Sequence, residues 1–268
     1  MLDTKPYRVA PGSAVDLRER STRDDGGFGK KEGKKAVKKL SKRLIELQEL
    51  LYARQARGLL VIFQAMDAGG KDSTTRRVFR KLNPAGVRVK SFKSPSQRER
   101  LHDFLWRIHQ HTPRRGYIAI FNRSQYEDVV AVRVRQLAPP EAWQGRFEHI
   151  NAFERLLADG GTIVLKFFLH ISKDYQKERL QRRLDRPDKH WKFDPGDLDD
   201  RRRWDQFTEA YSEAIQRCST DHAPWYVVPA ERRWFRDLVV MQTIVDKLQS
   251  LRMSYPEPDF NPATIEIP

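Results

Sequence analysis

Short apolar runs alternate along the chain with segments in which apolar residues recur every three or four positions. The short runs predict buried strands, and the periodic segments predict helices with one face in a core. The predicted strands are Leu59–Gln64, Val87–Phe92, Tyr117–Phe121, Thr162–His170 and Trp225–Val228. Strands that alternate with helices form parallel βαβ units, so we predict an α/β fold, a three-layer α/β/α sandwich with a mainly parallel five-stranded sheet.

Four segments with clear apolar faces predict helices, and in chain order they are Val37–Leu51, Ser94–Ile108, Trp143–Leu157 and Phe235–Leu248. The second opens with a serine cap followed by proline. The third ends at the pair Gly160-Gly161, which suits a helix C-cap. Residues 1–34 show no periodicity and predict an irregular arm.

A phosphate-binding loop follows the first predicted strand, in the run Ala65-Met66-Asp67-Ala68-Gly69-Gly70-Lys71-Asp72-Ser73. Its glycines let backbone N–H groups surround an anion, the following helix supplies the positive end of its dipole, and Lys71 adds a charge. The common pattern has glycine where Ala65 stands and a hydroxyl residue where Asp72 stands. The phosphate-binding candidates are Ala68, Gly69, Gly70, Lys71, Asp72 and Ser73. The alternative is a simple Gly-Gly turn between a strand and a helix.

Asp67 lies inside this loop, four residues before Lys71. An acid would repel phosphates unless a cation stood between them, so it predicts Mg²⁺ coordination. The alternative for Asp67 is a turn-capping role.

A second group of polar residues, Asn122 to Asp128, follows the third predicted strand. Asn122 is placed to orient a metal, and Arg123 to make a bidentate phosphate contact. Glu127 and Asp128 could serve the metal or cap the next helix, and the pattern leaves both interpretations open.

A third block, residues 178–193, is dense in arginine, lysine and aromatic residues and follows the fourth predicted strand. Ser172 can cap its helix and Pro187 can end it. A mobile lid that brings arginines over a transferring phosphoryl group would have this composition. A solvated helix face is the alternative for such a charge run.

The 268 residues carry a formal net charge of +15, which implies a polyanionic partner: nucleic acid, an acidic membrane or a long phosphate substrate. A lone cysteine, Cys218, excludes an internal disulfide framework. The sequence shows no signal-peptide core and no apolar run long enough for a membrane span, so we expect a cytoplasmic protein without a membrane partner.

Three segments in fixed order resemble the polyphosphate kinase 2 family, and they are Asp67–Asp72, Phe121–Asp128 and Asp185–Phe193. The resemblance covers roughly residues 5–255. It implies a phosphate-loop kinase fold with a helical lid and Mg²⁺-dependent transfer of phosphate between inorganic polyphosphate and nucleotides. It also suggests a homo-oligomer.

The resemblance assigns catalytic roles to Asp67, Lys71, Arg123 and Arg183. Many members have Asp where this chain has Asn122, a departure that resembles the class III branch, which phosphorylates both AMP and ADP. The predicted metal ligands are Asp67, Asn122 and Glu127. The predicted nucleotide and phosphate contacts outside the loop are Asn122, Arg123, Arg182, Lys189 and Trp191.

From the residues and the resemblance together we predict a polyphosphate-dependent nucleotide kinase that acts on AMP and ADP and forms ADP and ATP reversibly. The candidates for holding the polyphosphate chain are Arg76, Arg77, Lys81, Lys90, Lys93 and Arg133. The alternatives are an ATP-dependent nucleoside monophosphate kinase and a non-catalytic nucleic-acid-binding protein. The predicted division is an arm and helix (1–54), a kinase domain (55–255, lid about 178–203) and a C-terminal tail (256–268).

Overall fold

Five parallel strands form one sheet in the computed structural model of the chain, which describes residues 1–267. The strands are β1 (Gly58–Gln64), β2 (Val87–Ser91), β3 (Ile118–Asn122), β4 (Thr162–His170) and β5 (Trp225–Pro229). Their spatial order is β2-β3-β1-β4-β5, and every neighbouring pair is parallel. The predicted α/β class and sheet are confirmed, and each strand boundary lies within one residue of its predicted position.

Ten α-helices surround the sheet in the described chain. They are α1 (Lys30–Arg54), α2 (Lys71–Phe79), α3 (Trp106–His109), α4 (Ala131–Val134), α5 (Pro140–Gln144), α6 (Arg146–Asp159), α7 (Lys173–Leu184), α8 (Gly196–Arg202), α9 (Trp204–Cys218) and α10 (Arg233–Ser250). None of the helices within residues 1–267 is long and apolar enough to cross a membrane.

The central strand β1 is buried on both faces, as a three-layer sandwich requires, whereas the edge strand β2 has no buried residue. Alternate residues of β1 point to opposite sides. Leu59, Val61 and Phe63 join a core that includes α1, α2 and α10, whereas Leu60 and Ile62 join a smaller core against α3 and α6. Burial on both faces explains why β1 reads as a continuous apolar run.

Two predicted helices are each interrupted in the structure. The predicted helix Ser94–Ile108 forms only a 3-10 turn, Glu99–Leu101, and the single turn α3. The side chain of Asp103 accepts hydrogen bonds from the N–H groups of Leu105 (2.9 Å) and Trp106 (3.0 Å), so it starts a new turn there. The predicted helix Trp143–Leu157 is divided between α5 and α6 at Gly145.

The N-terminal arm packs into the main core through buried side chains that include Tyr7, Val9 and Leu17. The N–H of Val9 donates to the carbonyl of Trp225 at 2.9 Å, which attaches the arm to β5. Helix α1 starts at Lys30, whereas the sequence predicted an irregular arm up to residue 34. The division into three segments stays a prediction, and the last residue of the predicted tail, 268, lies outside the described residues.

The order of the strands along the chain and their order in the sheet together indicate where a binding crevice lies. The chain passes from β1 through β2 to β3 on one side of β1, and then crosses to β4 and β5 on the other side. In open parallel sheets, ligands bind beyond the carboxyl ends of the strands where the order reverses. The phosphate loop follows β1 at this point.

Candidate active site

The phosphate loop connects β1 to α2 at the carboxyl edge of the sheet. Its backbone enters the left-handed region at Ala68 (φ 61°) and at Gly70 (φ 101°), just before α2 begins. These turns lead the chain into the N-terminus of α2, where unsatisfied N–H groups and the helix dipole favour an anion. The strand, loop and helix that the sequence predicts are therefore in the order that phosphate binding needs.

A close approach explains the glycine at position 69. A Cβ atom added to Gly69 would lie 2.6 Å from the Cβ of Ala65 and 2.8 Å from the carbonyl oxygen of Met66. Ala65 is buried in this tight turn, and its carbonyl accepts a hydrogen bond from Lys71 Nζ at 2.9 Å. Alanine in place of the first glycine of the common pattern is thus compatible with the turn.

Lys71, Asp67 and Arg123 form the centre of the site. Arg123 Nη2 donates to Asp67 Oδ1 at 2.7 Å. Burial raises the pKa of the Asp67 carboxyl, but the Lys71 and Arg123 cations outweigh burial and hold this pKa below its usual range. Burial and the charge of Arg123 lower the pKa of Lys71, against the opposing effect of Asp67. These three side chains therefore combine two cations with one carboxylate, a balance that suits a phosphoryl group.

Backbone geometry at the end of β3 turns Arg123 toward the loop. Arg123 has φ 62°, in the left-handed region, and its N–H donates to the carbonyl of Phe63 on β1 at 3.0 Å. The preceding residue, Asn122, donates from Nδ2 to Asp72 Oδ1 in the first turn of α2. The acid that replaces the usual hydroxyl residue thus links α2 to the end of β3.

A buried polar network supports the segment that follows Arg123. The hydroxyl of Tyr126 and the amide Nε2 of Gln125 donate to Glu154 Oε1 at 2.9 and 3.0 Å. Lys166 Nζ donates to the Tyr126 hydroxyl at 2.8 Å and forms an ion pair with Glu154. All four side chains are fully buried, so these hydrogen bonds fix the backbone beside the site, although Oε1 of Gln125 has no partner among the described residues.

The two acids of the second block, Glu127 and Asp128, have different surroundings. Glu127 accepts a hydrogen bond from Gln64 Nε2 at 3.0 Å, and its other oxygen lies 3.8 Å from Arg123 Nη1. Asp128 is buried and pairs with Arg107 at 3.4 Å. Asp128 therefore has a structural partner inside the protein, whereas Glu127 stays next to Arg123.

The predicted lid, about residues 178–203, lies in the segment 173–203, which consists of α7, the 3-10 segment Pro187–Lys192 and α8, and we call this segment the lid. Ser172 caps α7 as predicted, because its Oγ accepts a hydrogen bond from the Tyr175 N–H at 3.1 Å. Helix α7 ends at Leu184, before Pro187. The lid thus follows β4 at the same edge of the sheet as the phosphate loop.

Arg183 is held by the lid itself. Its Nη1 donates to Lys192 O and to Asp197 Oδ2, both at 3.0 Å. Burial, together with the charge of Asp67, raises the pKa of Asp197 to about 6. Lys192 and Asp197 thus position the guanidinium of Arg183, and a phosphate oxygen could take the place of either hydrogen-bond acceptor.

The lid also contacts the loop and the body of the domain. Gln176 Nε2 donates to the carbonyl of Asp67 at 3.1 Å. Asp200 pairs with Arg135 through both carboxylate oxygens, and the Arg135 Nε contact is 3.0 Å long. Burial and, to a smaller extent, the Asp67 carboxylate raise the pKa of Asp200, against the opposing effect of Arg135. These contacts place the acids of α8 beside the phosphate loop.

A cleft of about 1070 Å³ lies between the loop and the lid. Basic side chains outnumber acidic ones among its lining residues. The predicted site residues that line it are Asp67, Ala68, Gly69, Gly70, Lys71, Asp72, Ser73, Arg76, Arg77, Lys93, Asn122, Arg123, Arg182, Arg183 and Lys189. Three blocks far apart in the sequence therefore meet around one basic cavity.

Three of the six predicted polyphosphate contacts, Lys81, Lys90 and Arg133, do not line the cleft, and their role stays a prediction. Arg133 forms ion pairs with Glu209 and Glu213 of α9, so its charge is already neutralised. Lys90 places its ammonium over the Phe92 ring, 5.6 Å from the centroid. Lys81 is exposed after the end of α2.

Two other predicted residues also lie outside this cavity. Trp191 is 77% exposed and donates from Nε1 to the carbonyl of Asp188 at 3.1 Å, within the lid. Glu127 lines a small neighbouring pocket together with Asp67. Neither side chain lines the cleft.

The cleft also contains basic residues that the sequence analysis did not name individually, namely Arg135, Arg179, Arg186, Lys192, Arg203 and Arg233. Three of them, Arg179, Arg186 and Lys192, lie in the charged block 178–193. Helical spacing could have identified Arg179, because it lies three and four positions before Arg182 and Arg183 in α7, whereas Arg186 lies beyond the end of α7. Arg135, Arg203 and Arg233 come from separate segments, and no local pattern marks them.

Within residues 1–267, no group of three or more histidine, cysteine or acidic residues is arranged to hold a metal ion. The oxygen donors that line the cleft include Asp67, Asp72 and Asn122. This set fits Mg²⁺, which commonly takes one or two carboxylates and completes its shell with water and substrate phosphates. It does not fit a metal that needs a full cage of protein ligands.

Residues 27–256 match the family model described as Polyphosphate kinase 2. The chain belongs to the polyphosphate kinase 2 family. An AMP/ADP-polyphosphate phosphotransferase of Meiothermus ruber is 53% identical over 257 residues, which cover 95% of this chain and 96% of the relative. An ADP-polyphosphate phosphotransferase of Rhodopseudomonas palustris is 42% identical and covers 96% of this chain and 93% of its own length.

A crystal structure of polyphosphate kinase 2 from Arthrobacter aurescens TC1 matches this structure with a TM-score of 0.93 at 41% identity, covering 97% of this chain and 93% of that chain. The predicted family, phosphate-loop kinase fold and phosphotransferase activity are confirmed. The ATP-dependent monophosphate kinase and nucleic-acid-binding alternatives are not favoured.

Proposed function

We propose that the protein transfers the terminal phosphoryl group of inorganic polyphosphate to AMP and ADP, with Mg²⁺, to form ADP and ATP reversibly. The observation that carries this proposal is the cleft in which Asp67, Lys71 and Arg123 lie opposite the arginine-rich lid. The name of the Meiothermus ruber relative supports AMP and ADP as acceptors.

The reaction needs charge neutralisation more than proton transfer. An ionised phosphate oxygen of AMP or ADP attacks the terminal phosphorus of polyphosphate, and the bond to the next phosphate breaks to release a chain one unit shorter. The attacking oxygen carries no proton at neutral pH, so no general base is required. The side chains must instead align two polyanions and stabilise the charge that spreads over the transferred group.

Lys71, Arg123 and Arg183 supply this stabilisation in our proposal. Lys71 and Arg123 approach from the loop side, and Arg183 approaches from the lid. Asp67 would hold Mg²⁺ together with phosphate oxygens, and the ion would neutralise charge on the phosphates. Arg123, which pairs with Asp67 at 2.7 Å, orients that carboxylate. Asn122 and Glu127 stay candidate metal contacts.

A single reaction mixture tests the proposal: purified protein, Mg²⁺, AMP and polyphosphate, without ATP. We expect ADP and then ATP to appear, and addition of EDTA to stop their formation. A matched mixture contains ATP in place of polyphosphate and separates the two kinase classes. Absence of ADP in the first mixture, with ADP formed in the second, would overturn the polyphosphate assignment.

The predicted cytoplasmic location and homo-oligomeric assembly stay predictions. Light scattering during size-exclusion chromatography measures the assembly directly. A monomer at working enzyme concentration contradicts the predicted homo-oligomer and leaves the donor assignment intact.

A further inference from the structure

The first part of α1 carries a dense run of positive charge outside the cleft. Its basic residues are Lys30, Lys31, Lys34, Lys35, Lys38, Lys39, Lys42 and Arg43, and all eight are exposed. Glu32 is the one acid in the same stretch. We call these eight residues the α1 basic surface.

The charges of this surface are poorly compensated by the protein. Arg43 pairs with Glu46 at 2.7 Å, whereas the seven lysines form no ion pair within the described residues. Several lysines lie four positions apart, as Lys31 and Lys35 do, and like charges at this spacing destabilise a helix. A bound polyanion would relieve that repulsion.

The α1 basic surface begins beside the cleft. A Cβ atom added to Gly33 would lie 2.3 Å from the ring of Trp234, so the first turns of α1 pack against the start of α10. The residue before Trp234, Arg233, lines the cleft. At the other end, Arg54 Nη1 donates to Ser254 Oγ at 3.2 Å, after α10. The two helices therefore run parallel, with the lysine-rich end of α1 at the cleft side.

We propose that a long polyphosphate chain, whose end reacts in the cleft, continues past Arg233 onto the α1 basic surface. This proposal rests on the proposed function. Fourteen helical residues extend the basic path by about 20 Å. The surface would bind the donor far from the reacting phosphate, so it would strengthen binding of long chains and leave short ones unaffected.

The composition of the surface favours polyphosphate over a single-stranded nucleic acid. Proteins that bind single strands combine a basic groove with aromatic side chains on which bases stack. Residues 30–43 contain eight basic residues and no aromatic residue. Polyphosphate carries charge and no bases, so a surface of lysines alone is sufficient for it.

The test compares two variants that each lose three positive charges. The surface variant is Lys31→Gln/Lys35→Gln/Lys38→Gln. The control variant is Arg57→Gln/Arg115→Gln/Lys247→Gln, which removes exposed charges from the opposite edge of the sheet, where β1 and β3 begin and α10 ends. For each protein, KM and kcat are measured with short linear polyphosphate, of about six units, and with chains of a hundred units or more, at two salt concentrations.

We expect the surface variant to raise KM for long chains by about tenfold, since each exposed charge contact contributes a factor of a few. Its KM for short chains and its kcat should change by less than about twofold. Its KM for long chains should also depend less steeply on salt, by analogy with the release of counterions from nucleic acids. The control variant should match the wild type with both donors.

Equal KM values of the surface variant and the wild type for long chains would overturn the proposal. An equal rise in KM for short and long chains would also overturn it, because it would indicate a general charge effect. The proposal would also be overturned if the wild type bound an oligonucleotide more tightly than polyphosphate of equal charge and if the surface variant lost that oligonucleotide binding. Failure of the proposed function differs from these results, because the wild type would then use neither donor.

Discussion

The loop side of the cleft and the lid present their cations in different ways. On the loop side, Lys71 is buried against a backbone carbonyl, and Arg123 pairs with a buried carboxylate. In the described part of the lid, the 3-10 segment Pro187–Lys192 and α8 contain no fully buried residue, and α7 buries only Gln176 and Leu180. The two sides thus differ in how firmly the fold holds the groups that contact phosphate.

This difference indicates that the loop side and the lid have different roles in the reaction. Groups on the ends of buried strands are preorganised, so they can stabilise transition-state charge without rearrangement. A segment with few buried apolar contacts opens at low free-energy cost, which suits a lid that admits and releases polyphosphate. We therefore interpret the loop side as a fixed half of the site and the lid as a half that closes on the substrate.

The largest expected effect on kcat comes from removing the buried ammonium group of Lys71. Lys71→Met keeps the length of the buried side chain and removes its charge. We expect kcat to fall by about 10²–10³-fold, as for loss of one preorganised transition-state donor, with a smaller change in KM for AMP. Initial rates with saturating polyphosphate measure this.

Lys247→Met is the matched control, because Lys247 is exposed near the end of α10 and lies outside the cleft. It should keep kcat and KM within about twofold of the wild type. A kcat that falls equally in both variants contradicts the special role of Lys71.

A smaller effect is expected in the lid. Arg183→Gln removes one guanidinium, but neighbouring arginines of the lid also line the cleft. We expect kcat to fall by about 10–100-fold, less than for Lys71→Met, since a mobile group contributes less preorganised stabilisation. Lys177→Gln removes an exposed charge from the same helix and should be neutral. A loss for Arg183→Gln that exceeds the loss for Lys71→Met would reverse our ranking of the two halves.

The smallest effect concerns Asp197, whose pKa is raised to about 6 by burial and by Asp67. In the unfolded chain an aspartate has a pKa of about 3.9. The folded protein thus binds a proton more tightly, and the stability gained is present below pH 4 and lost as the pH rises through 6. Relative to Asp197→Asn, the wild type should lose about 2 °C in Tm between pH 4.5 and pH 7.5, without Mg²⁺.

Asp199→Asn is the control for this measurement, because Asp199 is mostly exposed on the same helix. Its difference in Tm from the wild type should not change with pH. If the difference in Tm between Asp197→Asn and the wild type is also independent of pH, the pKa of Asp197 is not raised in the folded protein.

Local patterns predicted most of the fold and the fixed half of the site. Apolar runs identified β1, β3, β4 and β5, because these strands are mostly buried. The edge strand β2, which contains Arg88 and Lys90 and has no buried residue, was identified by its alternating valines. The loop, Asn122 and Arg123 follow strands directly, so strand ends alone place them together. The break at Asp103 depends on hydrogen bonds from backbone N–H groups to the Asp103 side chain, which the apolar spacing does not show. The positions of Arg135 and Arg203 in the cleft depend on packing between segments that are distant in the sequence.

Hydrogen–deuterium exchange tests the division between the fixed loop side and the closing lid most directly. Amide exchange is followed in residues 59–79 and 173–203, with and without Mg²⁺ and a short polyphosphate. The account predicts that exchange in the lid slows by about tenfold or more when ligand binds, while the strand and helix around the loop are already protected and change little. A lid that is equally protected without ligand, or a loop region that gains as much protection as the lid, would contradict it.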